Sequence, residues 1–244
     1  MLTKIKTILN DLSCCHSSEE LEKALDTAQQ NDLTYLEFLD ELFNYELTYR
    51  KTNKTQKLLK SAGFPKIKTI DEFDFRFQTS LTKRDVNEWL DFTWIEQRKN
   101  KILMGPPGVG KTHLVLATGY SAINKGYQVL FRTMQGLMEE MIFAEAEKKF
   151  ANYMKKMKKF DLIIIDELGY MPLKPIYANL FFQLVNQCYE YRSIMITSNK
   201  LYSEWGSFFG DQTIATAILD RLLHYTESIV LNGDSYRLKD IQGK

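Results

Sequence analysis

The sequence predicts an α/β sandwich, a parallel five-stranded sheet between helices, preceded by a small all-α segment. Three observations predict it. A complete phosphate-binding loop of the form G-x-x-x-x-G-K-[ST] runs from Gly105 to Thr112, directly after a short apolar run. Beyond it, apolar runs of strand length alternate with helical patterns, as buried parallel strands and crossover helices do. The first ~62 residues show helical spacing only.

Taken in order, Leu2, Ile5, Ile8, Leu9 and Leu12 form one helical stripe. Ser17-x-x-Glu20 has the form of a capping box opening a second helix with Leu21, Ala24, Leu25 and Ala28 on one face. Thr34-x-x-Glu37 opens a third, which should run to Ala62 and stop at Gly63, with Pro65 just beyond. Phe64 to Ser80 is a connector, and its alternate aromatics Phe73, Phe75 and Phe77 are of the kind that dock a linker on a core. Thr82-x-x-Asp85 caps a helix carrying Val86, Trp89, Leu90 and Ile95. Five strands are expected: Lys101–Met104, Gln128–Arg132, Asp161–Asp166, Ser193–Ser198 and Ile229–Leu231. The helix after the phosphate loop is apolar enough to pack on a sheet, although Gly119 weakens it. The Met-rich helix around Met134–Ala146 reads as core. Two domains follow, a helical one over 1–66 and an α/β one over 67–244.

Composition excludes some classes. A hydrophobic share of 44% supports a proper core, and a net charge of +1 identifies no partner. The charge distribution is uneven. Ten acidic residues and one basic residue, Lys23, lie between Asp11 and Glu46. From Leu47 to Ile70 there is no acid, against Arg50, Lys51, Lys54, Lys57, Lys60, Lys66 and Lys68. Such a run is either a solvated helix face or a surface for a phosphate backbone. Cys14, Cys15 and Cys188 have no metal or redox spacing and read as reduced thiols of a cytoplasmic protein. No apolar run reaches membrane-spanning length, so no membrane partner is expected.

Each residue type in the loop has a job. Gly105, Gly108 and Gly110, with Pro106, Pro107 and Val109 between them, let backbone N–H groups curl around phosphates. Lys111 reaches the β/γ-phosphates, and the Thr112 hydroxyl can ligate Mg²⁺. Asp166 and Glu167 end a buried strand: Asp166 suits the Mg²⁺ site beside Thr112, and Glu167 could polarise an attacking water. Asn199, ending another strand, could bond that water or a phosphate oxygen, or simply form a turn. Arg221, on an apolar helix, is either a structural ion-pair residue or an arginine that enters a neighbouring subunit's site. The chemistry alone leaves both open.

Further passages carry a family resemblance. They are Pro65–Ile70, Gly105–Thr112, Asp166–Leu173, Ala178–Leu184, Ile196–Lys200, Ser203-Glu204-Trp205, Asp220–His224 and Gly233–Arg237. With these the chain resembles the IstB-like branch of AAA+ ATPases, helpers of insertion-sequence transposition, and more distantly the DnaC-type helicase loaders. The resemblance covers Ile67 to Lys239 and, more loosely, the residues before. It implies a P-loop AAA+ core using ATP and Mg²⁺, with Lys111 and Thr112 as Walker A, Asp166 and Glu167 as Walker B, and Asn199 as sensor 1. It also implies that Arg221 acts in trans, in a homo-oligomer on duplex DNA that recruits a transposase. The alternative partner is a replicative helicase; a small-molecule kinase would share only the loop. Thirteen residues after Leu231 are too few for the usual helical lid, so no C-terminal lid is expected, with Arg237 in reach of nucleotide or DNA. DNA contact is expected from the basic residues Arg50 to Lys60 and from Lys148, Lys149, Lys155, Lys156, Lys158 and Lys159, mostly to the backbone.

Overall fold

The computed structural model describes residues 1–170 and 173–238. Its contacts divide the chain into two compact units, Met1–Lys57 and Leu58–Lys244.

The first unit contains α1 (Leu2–Asp11), α2 (Cys15–Gln30) and most of α3 (Tyr35–Ala62). Its core is small: Leu9, Leu21, Ala24 and Leu42, flanked by Phe38 and Tyr45. The α1 stripe is corrected here, because Leu9 is buried while Ile5, Ile8 and Leu12 are exposed. The box at Thr34 forms as expected, Glu37 accepting from the Thr34 N–H at 2.8 Å. The one at Ser17 does not. α2 begins two residues earlier, and buried Ser17 is spent on α3, donating its hydroxyl to the Leu42 carbonyl (3.0 Å) and its N–H to Glu46 (3.0 Å). A tertiary partner has displaced the local cap.

The second unit is the α/β sandwich. α4 (Lys83–Trp89) is opened by a complete capping box between Thr82 and Asp85. It breaks at Phe92, whose φ is +63°, so Ile95 belongs to a separate turn, α5 (Thr93–Glu96), rather than to the helix expected from the apolar spacing. Among the described residues the sheet has five strands: β1 (Asn100–Met104), β2 (Val129–Thr133), β3 (Leu162–Leu168), β4 (Ser193–Ser198) and β5 (Thr226–Val230). They are ordered β2-β3-β4-β1-β5, and every pairing is parallel. β5 starts three residues before the expected run. It is an edge strand beside β1 alone, so Thr226, Glu227 and Ser228 need not be apolar.

The helices between strands are α6 (Lys111–Asn124), α7 (Met134–Ala146), α8 (Phe150–Met157), α9 (Pro175–Cys188), α10 (Trp205–Phe209) and α11 (Gln212–Leu223). One face of the sheet packs with α7, α9 and α11 through Met134, Leu137, Met138, Met141, Phe181 and Ile218. The other packs with α6 and the segment before β1, where Leu58, Leu59, Phe64 and Phe73 also lie. Gly119 is a packing requirement rather than a weakness. A Cβ there would stand 2.6 Å from Ile164 on β3 and 2.8 Å from Phe64, so its absence lets α6 close on the sheet. Parallel strands in this order bring the chain ends after β1, β3 and β4 to one edge, where open α/β sheets bind ligands.

Candidate nucleotide site at the sheet edge

The loop Gly105–Thr112 leaves β1 and feeds α6, whose N-cap is Gly110. Two of its glycines are demanded by close approach. A Cβ on Gly105 (φ +146°) would fall 2.0 Å from the Leu231 carbonyl, and one on Gly108 (φ +85°) would fall 2.0 Å from the Ser235 hydroxyl. Val109 is buried, and its carbonyl accepts from Gln78 Nε2 at 3.1 Å, which ties the connector to the loop. Lys111 Nζ donates to the carbonyls of Gly105 (2.7 Å) and Pro106 (2.8 Å). Burial lowers the Lys111 pKa; Asp166 works against that shift and Arg237 adds to it. The residue is thus a half-buried cation, beside one carboxylate and one guanidinium.

β3 delivers the acids. Asp166 is 3% exposed, and the Thr112 hydroxyl donates to it at 3.0–3.1 Å. The Thr197 hydroxyl, from β4, also donates to Asp166. Thr197 in turn accepts the Glu167 N–H at 2.9 Å. Glu167 has φ +63°, at a register shift between β3 and β4, and its side chain is exposed. A non-glycine residue in that region costs about 1–3 kcal/mol, and such strain persists only when neighbours hold it. Here the Thr197 bond is the visible restraint. Asp166 therefore points inward, to the loop threonine, while Glu167 turns outward at the same strand end.

Asn199 follows β4. A Cβ on Gly169 would lie 3.1 Å from its Oδ1, which sets Asn199 against the turn after β3. The structure thus gathers Gly105–Thr112, Asp166, Glu167 and Asn199 at one edge. Arg221 is elsewhere: on α11 its Nε donates to Asn186 Oδ1 (2.8 Å), its Nη1 to the Ala217 carbonyl (3.2 Å), and its guanidinium lies 4.8 Å from the Phe182 ring centre. It does not line the cavity at the phosphate loop. Met171 and Pro172, within the passage after β3, lie outside the described residues, as does Lys239.

That cavity, about 300 Å³, opens beside Gly108–His113 and is walled by Lys66, Phe73, Phe77, Tyr236 and Arg237. Phe73 meets His113 edge-on, and Phe77 meets Tyr236 in the same way. The Tyr236 N–H donates to the Gly108 carbonyl at 3.0 Å, so the segment after β5 straps the loop. The connector aromatics thus dock on the core, and they also wall the cavity. Thr197 is not among the site residues expected from the sequence. Its only signal was a hydroxyl residue two positions before Asn199 at a strand end.

The family model for IstB-like ATP-binding proteins matches residues 7–243. The chain belongs to the IstB-like ATP-binding family. Its relatives in this family include the ATP-binding protein of insertion sequence IS21 from Pseudomonas aeruginosa, 39% identical over 97% of this chain and 89% of that protein. Another is the IS232 protein of Bacillus thuringiensis, 37% identical over 97% and 95%. Among solved structures, the fold resembles replication initiator DnaA bound to AMPPCP and single-stranded DNA, with a TM-score of 0.57 at 21% identity over 72% of this chain and 53% of that one. It also resembles the DnaC helicase loader, with a TM-score of 0.51 at 22% identity over 60% and 85%. At such identities the likeness shows the fold alone, a parallel five-stranded sheet between helices. No helix among its described residues is long and apolar enough to cross a membrane.

Proposed function

We propose that this IstB-like protein is a Mg²⁺-dependent ATPase that assembles on duplex DNA in the cytoplasm and helps an insertion sequence transpose by recruiting or activating its transposase. The observation that carries the ATPase reading is the chain of bonds Thr112–Asp166–Thr197–Glu167 next to the phosphate loop. A hydroxyl and a buried carboxylate are the hard oxygen donors a small divalent cation takes, with triphosphate oxygens and water completing its shell. Thr112 and Asp166 would hold that cation, which neutralises charge on the phosphates.

The protein's own groups do the rest. Backbone N–H groups of the loop and the N-terminal end of α6 bind the anion. Lys111, half-buried at the loop, supplies a fixed positive charge at the β/γ-phosphates, worth more there than on an open surface. Glu167 orients a water for in-line attack and takes its proton, and Asn199 bonds that water or a γ-phosphate oxygen. Arg237 lies beside Lys111 in the same subunit, whereas Arg221 is on another face and would act on a neighbour's nucleotide. Hydrolysis should then be weak in the monomer and rise with assembly. Lys51, Lys54, Lys57 and Lys60 supply backbone contacts to DNA, while Arg50 is already engaged by Glu46 at 2.7 Å and by the Ser13 carbonyl at 2.7 Å. The membership of insertion-sequence proteins in the same family supports transposition as the process.

The test is size-exclusion chromatography with ATP and duplex DNA, comparing the wild type with Glu167→Gln. The variant should bind ATP, lose at least ~10²-fold in turnover and accumulate as a larger complex. A persistent monomer, or turnover independent of protein concentration and DNA, would overturn the reading.

A further inference from the structure

A second, larger cleft lies away from the nucleotide site. It measures about 770 Å³ and runs between α8 and α9. Two bonds tie its walls together: Gln187 Nε2 donates to the Met154 carbonyl at 2.5 Å, and Arg192 Nε to the Lys158 carbonyl at 2.8 Å. The lining combines three cations (Lys155, Lys158 and Arg192) with three aromatic rings (Phe150, Phe182 and Tyr191). Its remaining polar residues are the amides Gln183, Asn186 and Gln187, and no carboxylate lines it. Among the described residues neither Lys155 nor Lys158 forms an ion pair, and the Tyr191 side chain is exposed. Such a lining matches one ligand chemistry closely: phosphates spaced along a chain, with flat rings between them.

We propose that the α8–α9 cleft binds single-stranded DNA, taking unpaired bases against Tyr191 and Phe150 and their phosphates on Lys155 and Lys158. A duplex satisfies the cations but not the rings, because its base faces are already stacked on each other. Aromatic residues in a basic groove gain binding energy only from bases that have left the stack. Amide side chains can bond base edges without selecting among them strongly. The inference rests on the proposal that DNA is a partner. It goes further in separating a strand-binding cleft from the duplex-binding lysines of α3. The cleft also shares Phe182 and Asn186 with Arg221, so it lies next to the residue proposed to act across subunits.

The experiment is fluorescence anisotropy of the full chain with three labelled probes of equal length: an oligo-dT strand, the same strand made abasic, and a duplex. Wild type should bind oligo-dT more tightly than the abasic strand. Tyr191→Ala should weaken oligo-dT binding about 5- to 150-fold and leave duplex binding unchanged. Lys155→Ala with Lys158→Ala should flatten the salt dependence for oligo-dT by about 1.4 in log–log slope. These side chains are at the surface, and matching melting temperatures would show that the variants fold. Equal affinity for the abasic strand, or no effect of Tyr191→Ala, overturns the cleft as a base-binding site. Loss of ATP-dependent assembly with strand binding intact would make it a subunit contact instead. Absence of binding to all three probes would overturn the DNA reading itself, which separates the two failures.

Discussion

Replacing Thr197 by valine tests the architecture of the site most directly. Valine keeps the shape and removes only the hydroxyl, which serves two partners: it accepts the Glu167 N–H at 2.9 Å and donates to Asp166. A hydrogen bond to a charged group contributes about 1.5–3 kcal/mol, and a buried donor left without a partner costs about 1–3 kcal/mol. These overlap in one substitution, and water can reach the Glu167 side because its side chain is exposed. A net loss of about 2 kcal/mol is therefore expected, half-way along both ranges. For a folding unit the size of Leu58–Lys244 this lowers the melting temperature by about 4–8 °C. Activity should fall as well, because the bond also holds Glu167 at its left-handed φ of +63°. With that restraint gone, Glu167 leaves its position and turnover drops at least ~10-fold, while ATP binding through the loop stays. Calorimetry and a steady-state ATPase assay measure the two effects, with Thr197→Ser as the control that retains the hydroxyl. If Thr197→Val melts within about 1 °C of wild type, or if serine behaves like valine, the hydroxyl does not organise this strand end.

Three other outcomes follow from the same structure. If Arg221 acts across subunits as proposed, Arg221→Ala mixed with Lys111→Ala should recover part of the ATPase activity that each lacks alone, since each interface of the proposed oligomer then has a chance of pairing an intact loop with an intact arginine; no recovery at any ratio would return Arg221 to a purely structural role on Asn186 and Phe182. For Glu46, burial acts to raise the carboxyl pKa, but hydrogen bonds from Arg50 and the Ser17 N–H outweigh it and leave the pKa lowered. The stability it confers is thus present above the ordinary value of 4.5 and lost as pH falls through the lower folded value. Acid titration of the Met1–Lys57 helices by circular dichroism should show this loss in the wild type and a weaker one in Glu46→Gln. The Cys188 thiol is buried and pushed up to about 12, whereas Cys15 is exposed. A thiol reagent at pH 8 should therefore modify Cys15 in the native protein and Cys188 only after unfolding, as mass spectrometry of the labelled peptides would show.

Much of this molecule was legible as sequence. The phosphate loop is read from chemistry that tolerates few substitutes, and the apolar runs of β1, β3 and β4 stand out because both faces of a central parallel strand are covered. β5 was located less well because an edge strand can be polar along half its length. The helix after Thr82 is shorter than its apolar spacing implies, since that spacing does not reveal the left-handed turn at Phe92. Ser17 has the sequence of a cap and the environment of a buried inter-helix bond.

By itself, then, the sequence determined which groups could do chemistry: a loop of glycines with Lys111 and Thr112, two acids after an apolar strand, and helices with basic faces. Local patterns suffice for that, because each depends on residue type and short spacing. Only the tertiary structure decided how the groups meet. It placed Thr197 between Asp166 and Glu167, laid the segment from Leu231 to Arg237 over the loop, and set Arg221 on a different face from Lys111. It also built the α8–α9 cleft from residues up to 42 positions apart, Phe150 to Arg192. These are contacts between strands and helices distant in sequence, and their energies depend on packing that no short stretch of chain encodes.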